Sequence, residues 1–251
     1  MKSKYLLIIT TLLLLVIKLN ISCKKNAVVQ KENTRKQETE SRTDTTNLKL
    51  SKHRDKLHIK PGTRMKLKVI HVVDADTVYL LSDDGSVRVK GRLSGINSPE
   101  CKKIQVKTLD GKRSARCKGD DEAYGYKSWL YLNNLIQGKE VEIDCDHHSN
   151  SSKCKSGYYN RSLITIYYKG ENLNKKLVAT GNAFTYTKYP SKERGEYCRA
   201  EFKARKQKKG MWSLAPSSKK VLSLMSHKTR KWYQKHDALC QLALSSKKSS
   251  N

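Results

Sequence analysis

The chain has 251 residues, enough for one domain of ordinary size plus tails, and carries 52 Lys and Arg against 23 Asp and Glu, a formal charge of +29. A charge of this size does not select a fold. It favours a polyanionic partner, because each neutralised phosphate releases condensed counterion; the competing reading is a solvated basic surface.

Lys2 and Lys4 precede an apolar run from Tyr5 to Ile17, and Leu19-Asn20-Ile21-Ser22-Cys23 follows. A basic start, an apolar stretch and a small residue form an export signal over residues 1–23. Ser22 directly before Cys23 resembles a bacterial lipoprotein cleavage box, in which Cys23 is lipidated and becomes the first mature residue. The leucine stands four residues before the cysteine and Asn20 takes a usually apolar position, so ordinary secretion and an uncleaved anchor stay open. The expected location is the outer face of a bacterial membrane, or secreted. Residues 24–62 contain no Phe, Tyr or Trp and are crowded with Lys, Glu, Thr, Asn and Arg, a composition that buries no core and reads as a disordered polar tether.

Pattern begins at Met65. Met65, Leu67, Val69 and His71 alternate with polar residues as in a half-buried strand. Thr77 to Leu81 reads as a second strand, Asp83-Asp84-Gly85 as a turn, and Val87, Val89 and Gly91 as a third strand. From Asp121 the period lengthens, and Ala123, Tyr126, Trp129, Leu130, Asn133 and Ile136 predict a helix ending near Gly138. Val141, Ile143 and Cys145 alternate again, as do Leu163 or Ile164, Ile166 and Tyr168. Helices are predicted over Leu173–Thr180, stopped by Gly181, and over Glu193–Lys209, stopped by Gly210. The order of elements suits an α+β fold: a five-stranded OB-type Greek-key β-barrel with three packed helices, over residues 63–214. Residues 215–251 form a basic C-terminal extension with one acid, Asp237. Val221, Leu222, Met225, Trp232 and Leu239 mark the apolar side of a helix, read as a nucleic-acid grip or, preferably, as a cap on the domain.

Cys23 apart, six of the seven cysteines remain, and an even number in an exported chain suggests disulfides. None forms a C-x-x-C pair, which argues against a structural zinc site. Cys145 and Cys154 bracket a polar loop between two strands, where a bridge would staple the hairpin. Cys101 and Cys117 flank a basic insertion, and Cys198 with Cys240 would pin the extension to the domain.

The most informative stretch is Val73-Asp74-Ala75-Asp76-Thr77-Val78, followed by Gly91-Arg92-Leu93-Ser94-Gly95-Ile96-Asn97-Ser98-Pro99-Glu100 and then by Tyr158-Tyr159-Asn160-Arg161. Acids, an amide and two arginines are what is needed to hold a hard cation beside a phosphodiester. The cation neutralises non-bridging oxygens and orients water, and guanidinium groups match pairs of phosphate oxygens without deprotonating. In this order the set resembles the staphylococcal nuclease (thermonuclease) family over about residues 64–214. Gly181-Asn182-Ala183, Cys198 to Arg205 and Gly210-Met211-Trp212 look like that family's closing elements.

The resemblance implies calcium, with Asp76 as the direct carboxylate ligand, Asn97 where the family has a second aspartate, and Ser98 offering its backbone carbonyl. It implies Glu100 as general base or water-orienting group, and Arg92 and Arg161 as clamps on the scissile phosphate. Tyr159 is placed to contact a nucleotide phosphate, and Tyr186 and Tyr189 to stack on or border a base. An amide at Asn97 removes a full negative charge, so calcium is expected to bind more weakly. Taken together, the expectation is a calcium-dependent nuclease acting on DNA and RNA with little sequence preference, a monomer with no protein partner, held to the membrane by an N-terminal lipid anchor. The alternatives are a non-catalytic nucleic-acid-binding module that kept the fold, and a surface adhesin whose basic face binds acidic host polymers.

Overall fold

The computed structural model describes residues 57–148, 151–189 and 191–245. The export signal, Cys23 and the tether up to residue 56 lie outside the described residues. Among the described residues no helix is long and apolar enough to cross a membrane.

Five strands close into a barrel. β1 (Met65–Asp74) pairs antiparallel with β2 (Thr77–Leu81) on one side and with β7 (Glu140–Cys145) on the other. β2 pairs antiparallel with β3 (Arg88–Leu93), β3 runs parallel to β9 (Arg161–Tyr168), and β9 returns antiparallel to β7. Two short strands, β8 (Ser156–Gly157) and β10 (Glu171–Asn172), also pair antiparallel with β9. Val69, Val72, Val78, Leu80, Val89, Leu93, Val141, Ile143, Ile164 and Ile166 fill the interior. Strands that alternate β-branched or leucine side chains with polar ones bury one face and solvate the other, which is the pattern on β3 and β7. Gly91 marks the tightest approach between β3 and β9, since a Cβ there would lie 2.3 Å from Ile164 Cδ1.

β1 departs from the expected half-buried strand. From Val69 onward it is buried on both faces, and its register shifts between Val69 and His71 and again between Val72 and Asp74. The outer face is covered by helix α1 (Gly125–Ile136) and by a hairpin, β5 (Cys101–Lys107) with β6 (Arg113–Asp120). The Trp129 indole donates to Val72 O (3.0 Å), the Gln137 amide serves Val72 N and Ile70 O, and the His71 ring reaches Ala115 O at 2.8 Å. The hairpin itself was not expected as strands, because only Ile104 and Val106 alternate among mostly charged and polar residues. The disulfide Cys101–Cys117 joins its two halves, with Cα atoms 5.6 Å apart. Cys145 is bonded to Cys154 (Cα–Cα 5.6 Å).

The expected tether boundary at 62 is too late: Leu57 and Ile59 are buried in the barrel core, and their backbone pairs with Cys154 and Ser152. Two apolar side chains in a polar stretch are enough to dock the segment. Helix α1 starts at Gly125 rather than Asp121, the intervening residues forming turns.

Helix α2 (Leu173–Ala179) is capped by the Asn172 side chain, which accepts from Lys175 N at 3.0 Å. Its buried Asn174 satisfies three barrel groups, accepting from Ile166 N and donating to Ser94 O and Ile164 O. Strand β11 (Phe184–Thr185) pairs with β4 (Ile96–Asn97), and helix α3 (Arg194–Lys206) follows. In place of the single apolar-sided helix expected beyond residue 215, three short ones form: α4 (Ser218–Ser223), α5 (His227–Tyr233) and α6 (His236–Ser245). Val221, Met225 and Tyr233 share a second core with Phe184, Ala204, Met211 and Trp212. The disulfide Cys198–Cys240, with Cα atoms 5.5 Å apart, ties α3 to α6. The described part of the extension is therefore packed on the barrel domain, and the three helices expected with the barrel are present at Gly125–Ile136, Leu173–Ala179 and Arg194–Lys206.

Candidate active site

The β1–β2 turn, the start of β4 and the entry to β9 meet at one end of the barrel. Thr77 pairs with Arg92 across β2 and β3, which brings Asp76 and Arg92 together. Arg92 Nη1 lies 3.2 Å from Asp76 Oδ2, and its Nη2 donates to Asn97 Oδ1 at 2.8 Å. The same Asp76 oxygen accepts from Ser98 N (2.9 Å) and Ser98 Oγ (3.0 Å). Thr77 Oγ1 donates to Asp76 Oδ1 (3.0 Å) and accepts from Arg161 Nη1 (3.2 Å), so one hydroxyl links the carboxylate to the second arginine. Asp76, Arg92, Asn97, Ser98 and Arg161 thus form one connected network, two of its members separated by more than sixty positions in sequence.

Glu100 joins through Asp74 and Lys103. Lys103 Nζ sits 2.7 Å from Asp74 Oδ2 and 3.9 Å from Glu100 Oε2. Burial and the neighbouring Asp76 raise the pKa of Asp74 against the pull of Lys103. Burial would raise Asp76 too, but Arg92 and the Ser98 N–H outweigh it and hold Asp76 down. Glu100 is pushed up to about 7 by desolvation and by the charges of Asp76 and Asp74, even though half of its side chain (50%) reaches solvent. Burial and mutual repulsion among Asp74, Asp76 and Glu100 are what a bound cation would relieve.

The donor set is all oxygen and fits a hard cation. Asp76, the Ser98 carbonyl and Asn97 could hold it, with Asp74 and Glu100 nearby. Asn97 is the weak member: its amide oxygen is engaged by Arg92 and its Nδ2 donates to Ser98 O at 3.3 Å. A second trio, Asp144, Cys145 and His147, has ligand atoms within 4.8 Å of one another. Its sulfur is committed to the bond with Cys154, and His147 Nε2 lies 2.8 Å from Ile59 O, so this group has a structural explanation.

The tyrosines lie at the rim. Tyr186 N donates to Gly95 O (2.8 Å), and the Tyr186 ring lies 6.0 Å from the Arg92 guanidinium. It meets Tyr189 edge-on at 5.8 Å and Trp232 of α5 at 5.0 Å. Tyr159 is 84% exposed, with its ring 5.7 Å from the Arg161 guanidinium. Lys103, Thr77 and Trp232 were given no role from sequence. Lys103 stands in a polar hairpin, and Trp232 reaches the rim only through the packing of the extension.

A closed OB barrel with carboxylates and guanidinium groups gathered at one end has the composition of a phosphate-handling site. Residues 90–214 match the staphylococcal nuclease homologue family, and the chain carries a domain of that family. Arg92, Asn97, Ser98, Glu100, Arg161 and the three tyrosines fall inside the match, while Asp76 precedes it on the same barrel. The chain is also 25% identical over 146 residues to a protein of Haemophilus influenzae described as an uncharacterized endonuclease. That alignment takes in 58% of this chain and spans 65% of the relative, less than two-thirds of its length.

Proposed function

We propose that the protein is a metal-dependent nuclease that hydrolyses phosphodiester bonds in DNA and RNA with little sequence preference, using calcium. The observation that carries this reading is the bonded set Arg92–Asp76–Thr77–Arg161 beside the raised carboxyl of Glu100. A bound divalent cation would supply charge neutralisation at the phosphate and a polarised water. Glu100, titrating near neutrality, accepts a proton from the attacking water or orients it. Arg92 and Arg161 place two planar donors around the scissile phosphate and stabilise the charge that builds on it, Arg161 on the side of the leaving oxygen. Tyr159, Tyr186 and Tyr189 offer ring faces and hydroxyls along the strand, and a surface rich in lysine tracks phosphates rather than base edges, which accounts for low selectivity.

The test is digestion of plasmid DNA and RNA by the purified protein across a calcium titration, with Glu100→Ala and Arg161→Ala alongside. Calcium-dependent cleavage that collapses in both variants supports the reading. Salt-sensitive binding without cleavage, the same in wild type and variants, would assign the chain instead to the non-catalytic nucleic-acid-binding modules. Asn97, whose amide oxygen faces Arg92, is the observation that favours that second reading.

Export and tethering belong to the same proposal, supported by the basic and apolar start of the chain and by three disulfides in the domain. Cys23 is the lipidation site in this reading. Loss of membrane association in Cys23→Ser, with secretion retained, is the expected result.

A further inference from the structure

Glu122 is 2% exposed, and no part of the proposed chemistry uses it. Its backbone N–H donates to Glu100 O at 2.9 Å, and its Oε2 accepts from Glu100 N at 3.0 Å. One residue therefore holds both backbone polar groups of Glu100. Residues 98–100 belong to no strand, so they have no ladder of their own to fix them. Gly125 permits the approach, because a Cβ there would lie 2.1 Å from Glu100 O. The other carboxylate oxygen of Glu122 faces away from Glu100 and toward the extension. It accepts from Ser226 N (2.9 Å) and from Thr229 Oγ1 (2.7 Å), at the beginning of α5.

We propose that Glu122 is a positioning residue through which the C-terminal helices hold Glu100 at the site, which makes residues 218–245 part of the catalytic unit. The inference rests on the nuclease reading for its catalytic consequence and on geometry alone for the coupling. Hydrogen bonds to a buried carboxylate are stronger than neutral ones, and each oxygen of Glu122 is committed to a different element, so a shift of α5 is passed to Glu100. The extension is itself well fixed, by Cys198–Cys240 and by Arg205 Nη1 to Asp237 Oδ1 at 2.8 Å. Trp232 of the same helix backs Tyr186, giving the extension a second contact with the rim.

The experiment compares Glu122→Gln, Thr229→Val and Thr229→Ser in the full chain, reading kcat and KM on DNA together with amide hydrogen exchange at Glu100. Glu122→Gln keeps shape but offers one acceptor oxygen instead of two. The expected result is a kcat lower by about 10- to 100-fold with KM within about twofold, the signature of a misplaced group rather than weakened binding. Thr229→Val gives a smaller loss of kcat and faster exchange at Glu100, and Thr229→Ser restores both. Wild-type kcat in folded Glu122→Gln, or a loss in Thr229→Val that Thr229→Ser fails to restore, overturns the proposal. If the wild-type protein cleaves nothing, the nuclease reading falls, and exchange at Glu100 decides the coupling alone: faster in Thr229→Val supports it, unchanged overturns it.

Discussion

Asp76 and Glu201 are both buried carboxylates beside an arginine, and the difference between their surroundings separates the candidate active site from a structural network. Glu201 on α3 has every lone pair answered: Thr185 N donates at 2.7 Å, Arg205 Nε at 2.9 Å and His236 Nε2 lies at 3.1 Å, with the Tyr233 hydroxyl completing the shell. Burial alone would raise this carboxyl, but His236, Arg205 and Tyr233 outweigh it and hold it at about 2. Two acids, the buried Glu201 and the exposed Asp237, are matched there by Arg205 and His236. At the barrel end Asp74, Asp76 and Glu100 lie among Arg92, Lys103 and Arg161, yet burial and mutual repulsion still leave raised pKa values on Asp74 and Glu100. Paired charge holds the extension in place; the repulsion among the acids at the barrel end is what a cation would relieve.

The sharpest way to break this contrast is Glu201→Ala, which leaves Arg205 and His236 buried with only the exposed Asp237 as an acidic partner. A loss of about 3–5 kcal/mol in urea unfolding is expected; a loss below about 1 kcal/mol would mean the network adds little. Next comes Arg161→Ala, for which cleavage is expected to fall about 10²- to 10³-fold with little change in stability. Equal stability and equal activity would return Arg161 to the surface. Smaller is Asn97→Asp: a restored carboxylate should tighten calcium about tenfold, about 1.4 kcal/mol, by titration calorimetry. Identical affinity would show that the amide costs the site nothing.

The smallest effect is with pH. Burial lowers the His236 pKa and Glu201 more than reverses it, with Asp237 adding to the rise and Arg205 opposing it. The folded value lies above the ordinary one, so the stability His236 contributes is complete below about pH 6.5 and is lost as pH climbs through the raised value. A melting temperature lower by a few degrees at pH 9 than at pH 6, with the difference gone in His236→Gln, is expected. The Glu201 contribution behaves oppositely, present above about pH 4.5 and lost as pH falls through about 2.

How much of this was legible in the chain depends on how local each signal is. Alternating Val141 and Ile143, or Ile164 and Ile166, reveal strands because a pleated half-buried surface needs that spacing. The DADT and GRLSGINSPE stretches carry their chemistry in a few consecutive residues, and the structure joins Asp76, Arg92, Asn97 and Ser98 by direct hydrogen bonds or ion pairs and reaches Arg161 through the Thr77 hydroxyl. The β5–β6 hairpin was opaque because its residues are mostly polar on both faces. Glu122 stands in an acidic run, Asp120-Asp121-Glu122, and nothing local distinguishes it from its solvated neighbours. Its burial comes from partners a hundred positions away.

That distance has a consequence for the order in which the molecule can be completed. The bonds from Ser226 and Thr229 to Glu122 span 104 and 107 positions. Barrel strands β1, β2 and β3 pair with near neighbours in sequence and can form early, whereas the clasp behind Glu100 must wait until Ser226 and Thr229 have been synthesised. A nascent chain stalled before residue 226 would present a largely formed barrel whose Glu100 loop lacks its outer hold.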